Sequence, residues 1–259
     1  MYSKIVAGII IFLQASCTGG HSQQNESFRP PEGSATVDEL TDVSSIPLPE
    51  GYKRVALQKE SFGAWLRTLS LKKDNTVYLY DGTPKPNQAA QFAVLNISVG
   101  DKNLQQCADA IMRLRAEYLF YQQDFGNISF TDNEGGVYQF DAPYTQKRLA
   151  LYLQKVFGMC GTASLSKQLL SAKMMNMQVG DVLIRGGFPG HAVIVMDMAE
   201  NDEGEKIYLL AQSYMPAQDI HILKNENSKD ASPWYELNNQ YEIATPEYGF
   251  NRDQLKTWW

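Results

Sequence analysis

The sequence predicts an α+β domain in which an antiparallel sheet packs against helices, and three patterns carry that prediction. Residues 101–121 put Leu104, Cys107, Ile111, Leu114 and Tyr118 on one face at helical spacing. Short apolar runs at 181–184, 191–198, 206–212 and 219–223 are separated by Gly, Pro, Asn and Asp, which reads as a meander of strands. A composition of 44% hydrophobic and 20% charged residues over 259 positions supplies enough apolar side chain for a real core.

The amino terminus has a different character. Lys4 precedes the apolar run Ile5 to Leu13 and then Gln14-Ala15-Ser16-Cys17, the arrangement of a basic region, a short hydrophobic region and a small-residue cleavage site. The run is too short to span a bilayer. A cysteine directly after Ala-Ser is the position that bacterial lipoprotein processing modifies, so residues 1–17 are expected to be a signal peptide ending at an anchor, Cys17. Membrane attachment through that lipid, on the periplasmic or outer-membrane face of a bacterial envelope, follows from this reading. Residues 18–45 are rich in Gly, Ser, Gln, Pro and acids and are expected to form a disordered tether carrying an inert His21. The folded domain is expected over 46–259.

Within it, helices are expected at 61–69, 101–121, 144–157 and 162–170, strands at 76–80 and 92–97, and a hairpin over 126–140 turning at Asn133-Glu134-Gly135-Gly136. The aromatic carboxyl-terminal stretch, with Trp234-Tyr235 and Trp258-Trp259, shows no regular period.

Charge and rare residues narrow the chemistry. A net charge of -6 without a run of Lys or Arg provides no field for nucleic acid. Three cysteines and three histidines exclude a disulfide framework and leave few nucleophiles or bases. His191 and His221 lack paired acids or thiols at ligand spacing, so no metal is expected, and no phosphate or dinucleotide fingerprint implies a cofactor. His221, between Ile220 and Ile222, is expected to face solvent.

The most informative segment is Val179-Gly180-Asp181-Val182-Leu183-Ile184 followed by Gly186-Gly187-Phe188-Pro189-Gly190-His191-Ala192-Val193-Ile194-Val195, where a glycine-rich turn delivers a histidine onto the start of an apolar strand. This pair of strands resembles the catalytic-histidine segment of NlpC-type, papain-like cysteine peptidases and amidases, over about Gln105 to Ile222. The resemblance implies a papain-like core with an insertion between the cysteine helix and the sheet. It implies Cys107 as nucleophile, His191 as general base and Gln212 as the group orienting the imidazole, where the family usually carries His. Gln105 or Gln106 would help bind an oxyanion. Read from the residues alone, Tyr214 either binds ligand or closes the sheet edge, and Arg115 either lines a substrate site or lies on a solvated helix face.

Cys160, in Gly158-Met159-Cys160-Gly161 just ahead of a helix, is the rival thiol, because backbone N–H groups there favour a thiolate. If Asp101 caps the long helix, Cys107 lies past its first turn and gains little from the dipole. Over Ile46 to Trp258 the chain also resembles a family of bacterial lipoproteins with a domain of unknown function, numbered 4846. That likeness rests on 105–118, on Pro189-Gly190-His191-Ala192-Val193-Ile194-Val195 and on 210–218. The function these features imply is a cysteine hydrolase acting on a peptidoglycan-like amide of the cell envelope. The alternative is a non-catalytic binding or assembly module whose contact surface includes Tyr214, Trp234 and Trp258.

Overall fold

The computed structural model describes residues 40–228 and 233–258. The expected signal peptide, Cys17 and most of the expected tether lie outside them. Ordered packing begins ahead of the boundary expected at Ile46. Leu40 and Val43 are buried in the main core with Ile46, and Asp42 caps a 3-10 turn at Val43–Ser45 by accepting the Ser45 N–H at 3.0 Å. Polar composition concealed this segment because only its apolar positions pack.

Strand β1 (Lys53–Arg54), helix α1 (Phe62–Arg67) and strand β2 (Gln91–Val94) lead to the long helix α2 (Cys107–Tyr121). A hairpin of β3 (Ser129–Thr131) and β4 (Val137–Gln139) follows, then α3 (Gln146–Met159) and α4 (Thr162–Gln168). Next come β5 (Leu170–Ser171), β6 (Val182–Arg185), β7 (His191–Glu200), β8 (Lys206–Gln212) and β9 (His221–Leu223). The chain closes with β10 (Trp234–Leu237), β11 (Glu242–Ala244), β12 (Gly249–Asn251) and β13 (Leu255–Thr257).

Nine of these strands form one sheet, in the order β2-β9-β8-β7-β6-β13-β5, with β1 added to β7 and β10 to β8. Its pairings are antiparallel, and β6 to β9 run as the meander expected from the sequence. Helix-side residues Ala192, Ile194 and Met196 of β7 join the core beneath α2. Val193, Val195 and Met198 join a second core with Tyr208, Tyr235 and Phe250. Strand β7 is thus covered on both faces, which is why it reads as an unbroken apolar run.

The expected strand at 76–80 is replaced by isolated bridges, Tyr78 to Pro84 and Leu79 to Gln218. Its backbone donors are spent outside a strand ladder: Tyr78 N–H donates to the sequence-distant Asp219 Oδ2 at 3.0 Å and Leu79 N–H to Thr83 C=O at 2.8 Å across the Asp81-Gly82 turn.

One ion-pair cluster braces β7. At a register shift between Val195 and Asp197, the fully buried Asp197 carboxylate takes Arg54 Nε at 2.6 Å and Arg67 Nε at 2.5 Å. Removing one partner of a buried pair costs about 3 kcal/mol or more, because the remaining charges keep their desolvation penalty. Asp197→Asn should therefore lower stability by about 3 kcal/mol in urea unfolding, and a change within experimental error would show that the cluster is not bracing the strand.

Candidate active site

Helix α2 begins at Cys107, not at Asp101, with Gln106 as its N-cap. The chain from Asp101 to Gln106 makes tight turns (Leu104 N–H to Lys102 C=O and Gln106 N–H to Leu104 C=O, both 2.8 Å). Asp109, at the third helical position, reaches back to accept the Gln106 N–H at 2.9 Å. That Gln-x-x-Asp reach-back is the start signal that the capping expectation at Asp101 overlooked. Cys107 consequently sits in the first turn, where backbone N–H groups have no helical partner. Its sulfur interacts with the backbone amides of Ala108, Ala192 and its own residue.

Ala192 directly follows His191, so the thiol meets β7 one residue from the imidazole. The two side chains are not hydrogen-bonded to each other. The pleat turns His191 toward the face of Val193 and away from that of Ala192. The His191 ring is 1% exposed and packs against Tyr214, Tyr248 and Phe250, with centroids at 4.7, 4.9 and 5.8 Å. Gln212, at the end of β8, places Oε1 2.7 Å from His191 Nε2. The structure thus gathers Cys107, His191, Gln212 and Tyr214 around the first residues of β7.

Gly190 makes that start of the strand possible. A Cβ at this position would collide with Thr162 Oγ1 and would lie 2.7 Å from the Arg185 carbonyl oxygen, so the loop can run against the start of α4 only without a side chain.

Cys107 and Cys160 line one cleft of about 400 Å³ together with Asp109, Thr162, Phe188 and Met215. Exposed apolar side chains stand at it, among them Phe188 at 96% and Met215 at 52% exposure, beside the exposed Asn103 and Asn133. Among the described residues no lysine or arginine lines it. Cys160 ends α3 and is half-buried. Gln106 lines the cleft, whereas Gln105 does not. The Gln105 side chain is drawn away by Arg113 Nη1, 2.5 Å from its Oε1. Arg115 is elsewhere, its guanidinium stacked among Phe62, Tyr118 and Trp258 at 5.1–5.5 Å from the ring centroids.

Electrostatics leave the central groups uncharged near neutral pH. Burial, and then the Asp109 carboxyl, push the Cys107 thiol up to about 11. Burial, then Asp132 and Asp109, do the same to Cys160, also to about 11. Burial brings His191 down to about 4 against the opposing effect of the Gln212 hydrogen bond. A preformed thiolate–imidazolium pair is therefore not the resting state.

His221 does not face solvent as its alternation with Ile220 and Ile222 suggested. It is fully buried, because β9 lies inside the sheet between β2 and β8 and both of its faces are covered. Trp234 is likewise only 3% exposed, so it does not contribute to the expected contact surface; Trp258 is half-buried and packs on Phe62.

Sequence reading also missed Lys85, Glu247 and Tyr248, which converge on Gln212 and His191. Only the setting of Lys85 between Pro84 and Pro86 hinted at a fixed position. Among the described residues no group of three His, Cys, Asp or Glu is arranged to hold a metal ion, and no helix is long and apolar enough to cross a membrane.

A family model described as a domain of unknown function (4846) matches residues 43–146 and 137–257. Comparison with curated proteins and with solved structures gave no match.

Asp109 provides a test of the cleft's electrostatics. Burial raises its carboxyl from 3.8 to about 8, so between these values the folded chain binds a proton that the unfolded chain has released. The contribution of Asp109 to stability must then fall as pH rises through that window. Asp109→Asn should unfold at a higher temperature than the parent at pH 8, with the gap closing toward pH 4. Melting curves that stay parallel across this range would contradict the assignment.

Proposed function

Starting from a chain that belongs to the domain of unknown function 4846 family, a description that assigns no chemistry, we propose a cysteine hydrolase of papain-like, NlpC-type organisation. The reading places its substrate, an amide or ester of a cell-envelope component, in the cleft at the start of α2. The observation that carries it is the 2.7 Å contact between His191 Nε2 and Gln212 Oε1, with a cysteine at the first helical position of α2 whose thiol is influenced by the backbone amide of Ala192, the residue after the histidine. These residues support the reading of Cys107 as nucleophile, His191 as base and Gln212 as orienting group in such a hydrolase.

In the proposed reaction Cys107 Sγ attacks the carbonyl carbon while its proton passes to His191 Nδ1, the ring nitrogen that Gln212 does not engage. The imidazolium returns that proton to the leaving amine or alcohol as the carbonyl–heteroatom bond breaks. Water then hydrolyses the thioester, giving its proton to His191 and restoring the thiol. Backbone N–H groups in the first turn of α2, with the Gln106 side chain, are suited to the oxyanion. Because thiol and imidazole are both neutral at rest, proton transfer accompanies attack. The apolar side chains of Phe188 and Met215 fit an uncharged group beside the scissile carbonyl.

The signal-like segment ending at Cys17 supports export and lipid anchoring, and a cell-wall peptide amide is the natural substrate for a hydrolase tethered there.

A specific observation favours a second reading. Cys107 is only 7% exposed and is not hydrogen-bonded to His191, as a non-catalytic binding module on the same scaffold requires. In that case the exposed Phe188 and Met215 are the contact surface.

Kinetics separate the two readings. Purified protein incubated with peptidoglycan fragments and with activated peptide esters should release products detectable by mass spectrometry. Cys107→Ala should abolish the release, and His191→Ala should reduce kcat/KM by about 10²-fold or more, the scale of general-base assistance. Cys160→Ala should retain activity within a few-fold. Activity lost in Cys160→Ala and kept in Cys107→Ala would move the nucleophile to Cys160, and absence of turnover on every substrate would favour the binding module.

A further inference from the structure

We infer that the buried Lys85–Glu247 pair and His221 form a positioning device for His191, fixing which way round the Gln212 amide lies and hence which ring nitrogen of His191 carries the proton. It deepens the hydrolase reading, and its purpose rests on that reading.

The inference starts from two groups that can only accept hydrogen bonds. The first is the Glu247 carboxylate, whose Oε2 lies 2.7 Å from Gln212 Nε2. The second is the Asp219 carbonyl oxygen, 2.9 Å from His221 Nδ1. Because a carbonyl accepts, His221 Nδ1 must carry hydrogen, and a neutral imidazole then offers a lone pair at Nε2. That nitrogen lies 3.4 Å from Gln212 Nε2. The two amide hydrogens of Gln212 therefore each have an acceptor, and the amide oxygen is left to face His191.

A flipped amide would set its oxygen against the Glu247 carboxylate, acceptor against acceptor, at 2.7 Å. With the oxygen held toward His191, Nε2 of that ring must donate across 2.7 Å, and Nδ1 keeps the lone pair. Burial supports the neutral forms this requires, bringing His191 to about 4 and His221 to about 3.

Lys85 holds Glu247 in place. Its Nζ lies 2.5 Å from Oε2, with the lysine and glutamate side chains 5% and 12% exposed. Asn87 Nδ2 donates to the other carboxylate oxygen at 3.1 Å. A buried ion pair is weak evidence for stability, since desolvation consumes most of its attraction. Here the pair joins the 84–88 loop to the turn between β11 and β12, and that turn also brings Tyr248 against the imidazole. The acceptor Gln212 needs is thus delivered with a wall of the histidine's own pocket.

Nitrogen-15 NMR of the full chain labelled at histidine reads the tautomer directly, with His191 signals identified by their loss in His191→Gln. The expected spectrum has a protonated Nε2 and an unprotonated Nδ1 for His191. Lys85→Met/Glu247→Leu removes both charges together, leaving no lone buried ion, and should draw the two nitrogen shifts toward each other as the tautomers mix. In the same variant kcat should fall by about tenfold or more with KM little changed, the signature of lost general-base assistance. Glu247→Gln, which still offers an amide oxygen to Gln212, should restore the parent spectrum.

A parent protein with hydrogen on Nδ1 of His191 would overturn the inference, whether or not the double variant folds. So would a folded double variant with an unchanged spectrum. A parent spectrum as expected, in a protein without turnover, would sink the hydrolase reading and leave the positioning device standing.

Discussion

Burial of strand β7 on both faces is the constraint on which the rest of the structure depends. Helix α2 covers the face of Ala192 and Ile194, and the side chains around Tyr208, Tyr235 and Phe250 cover the face of Val193 and Val195. A strand held this way cannot slip by one residue without exchanging its two sets of side chains. His191 is its first residue, so the position of the imidazole follows from the register of the whole sheet, and Asp197 anchors the same strand farther along through Arg54 and Arg67.

The same burial sets the character of the site. Removing His191, His221 and Cys107 from water disfavours their charged forms, and the hydrogen bonds around them define protonation without creating ions. Glu247 pairs with Lys85 and is not hydrogen-bonded to the imidazole. Gln212 stands between them, passing on the orientation of the carboxylate as a dipole. A histidine in the place of Gln212 could present either nitrogen to its neighbours. An amide flanked by acceptors presents its oxygen.

The meander from β6 to β9 and the helices were legible because their apolar periods are local and strong. What escaped were features decided by hydrogen bonds and neighbours that no apolar period reports. The start of α2 depended on a side chain three positions into the helix, Asp109, closing on Gln106. His221 alternates with isoleucines as a surface residue would, and only the neighbours β2 and β8 reveal that both faces are covered. Tyr78 and Leu79 had strand composition, yet Asp219 and Thr83 took their backbone donors. Cys107, His191 and Gln212 could be picked out from a resemblance resting on short motifs. Glu247 and Lys85 could not, since each reaches the site from a loop with no periodic signal and the contact between them spans most of the domain.

The proposed hydrolase requires the Cys107 thiol and the His191 imidazole to work as one unit although both rest neutral. The most direct measurement is the rate at which iodoacetamide alkylates Cys107 at pH 7, followed by peptide mass spectrometry, in the parent and in His191→Ala. A coupled pair predicts a rate at least tenfold lower in the variant, with alkylation of Cys160 unchanged as an internal reference. Equal rates at Cys107 in the two proteins would contradict the account.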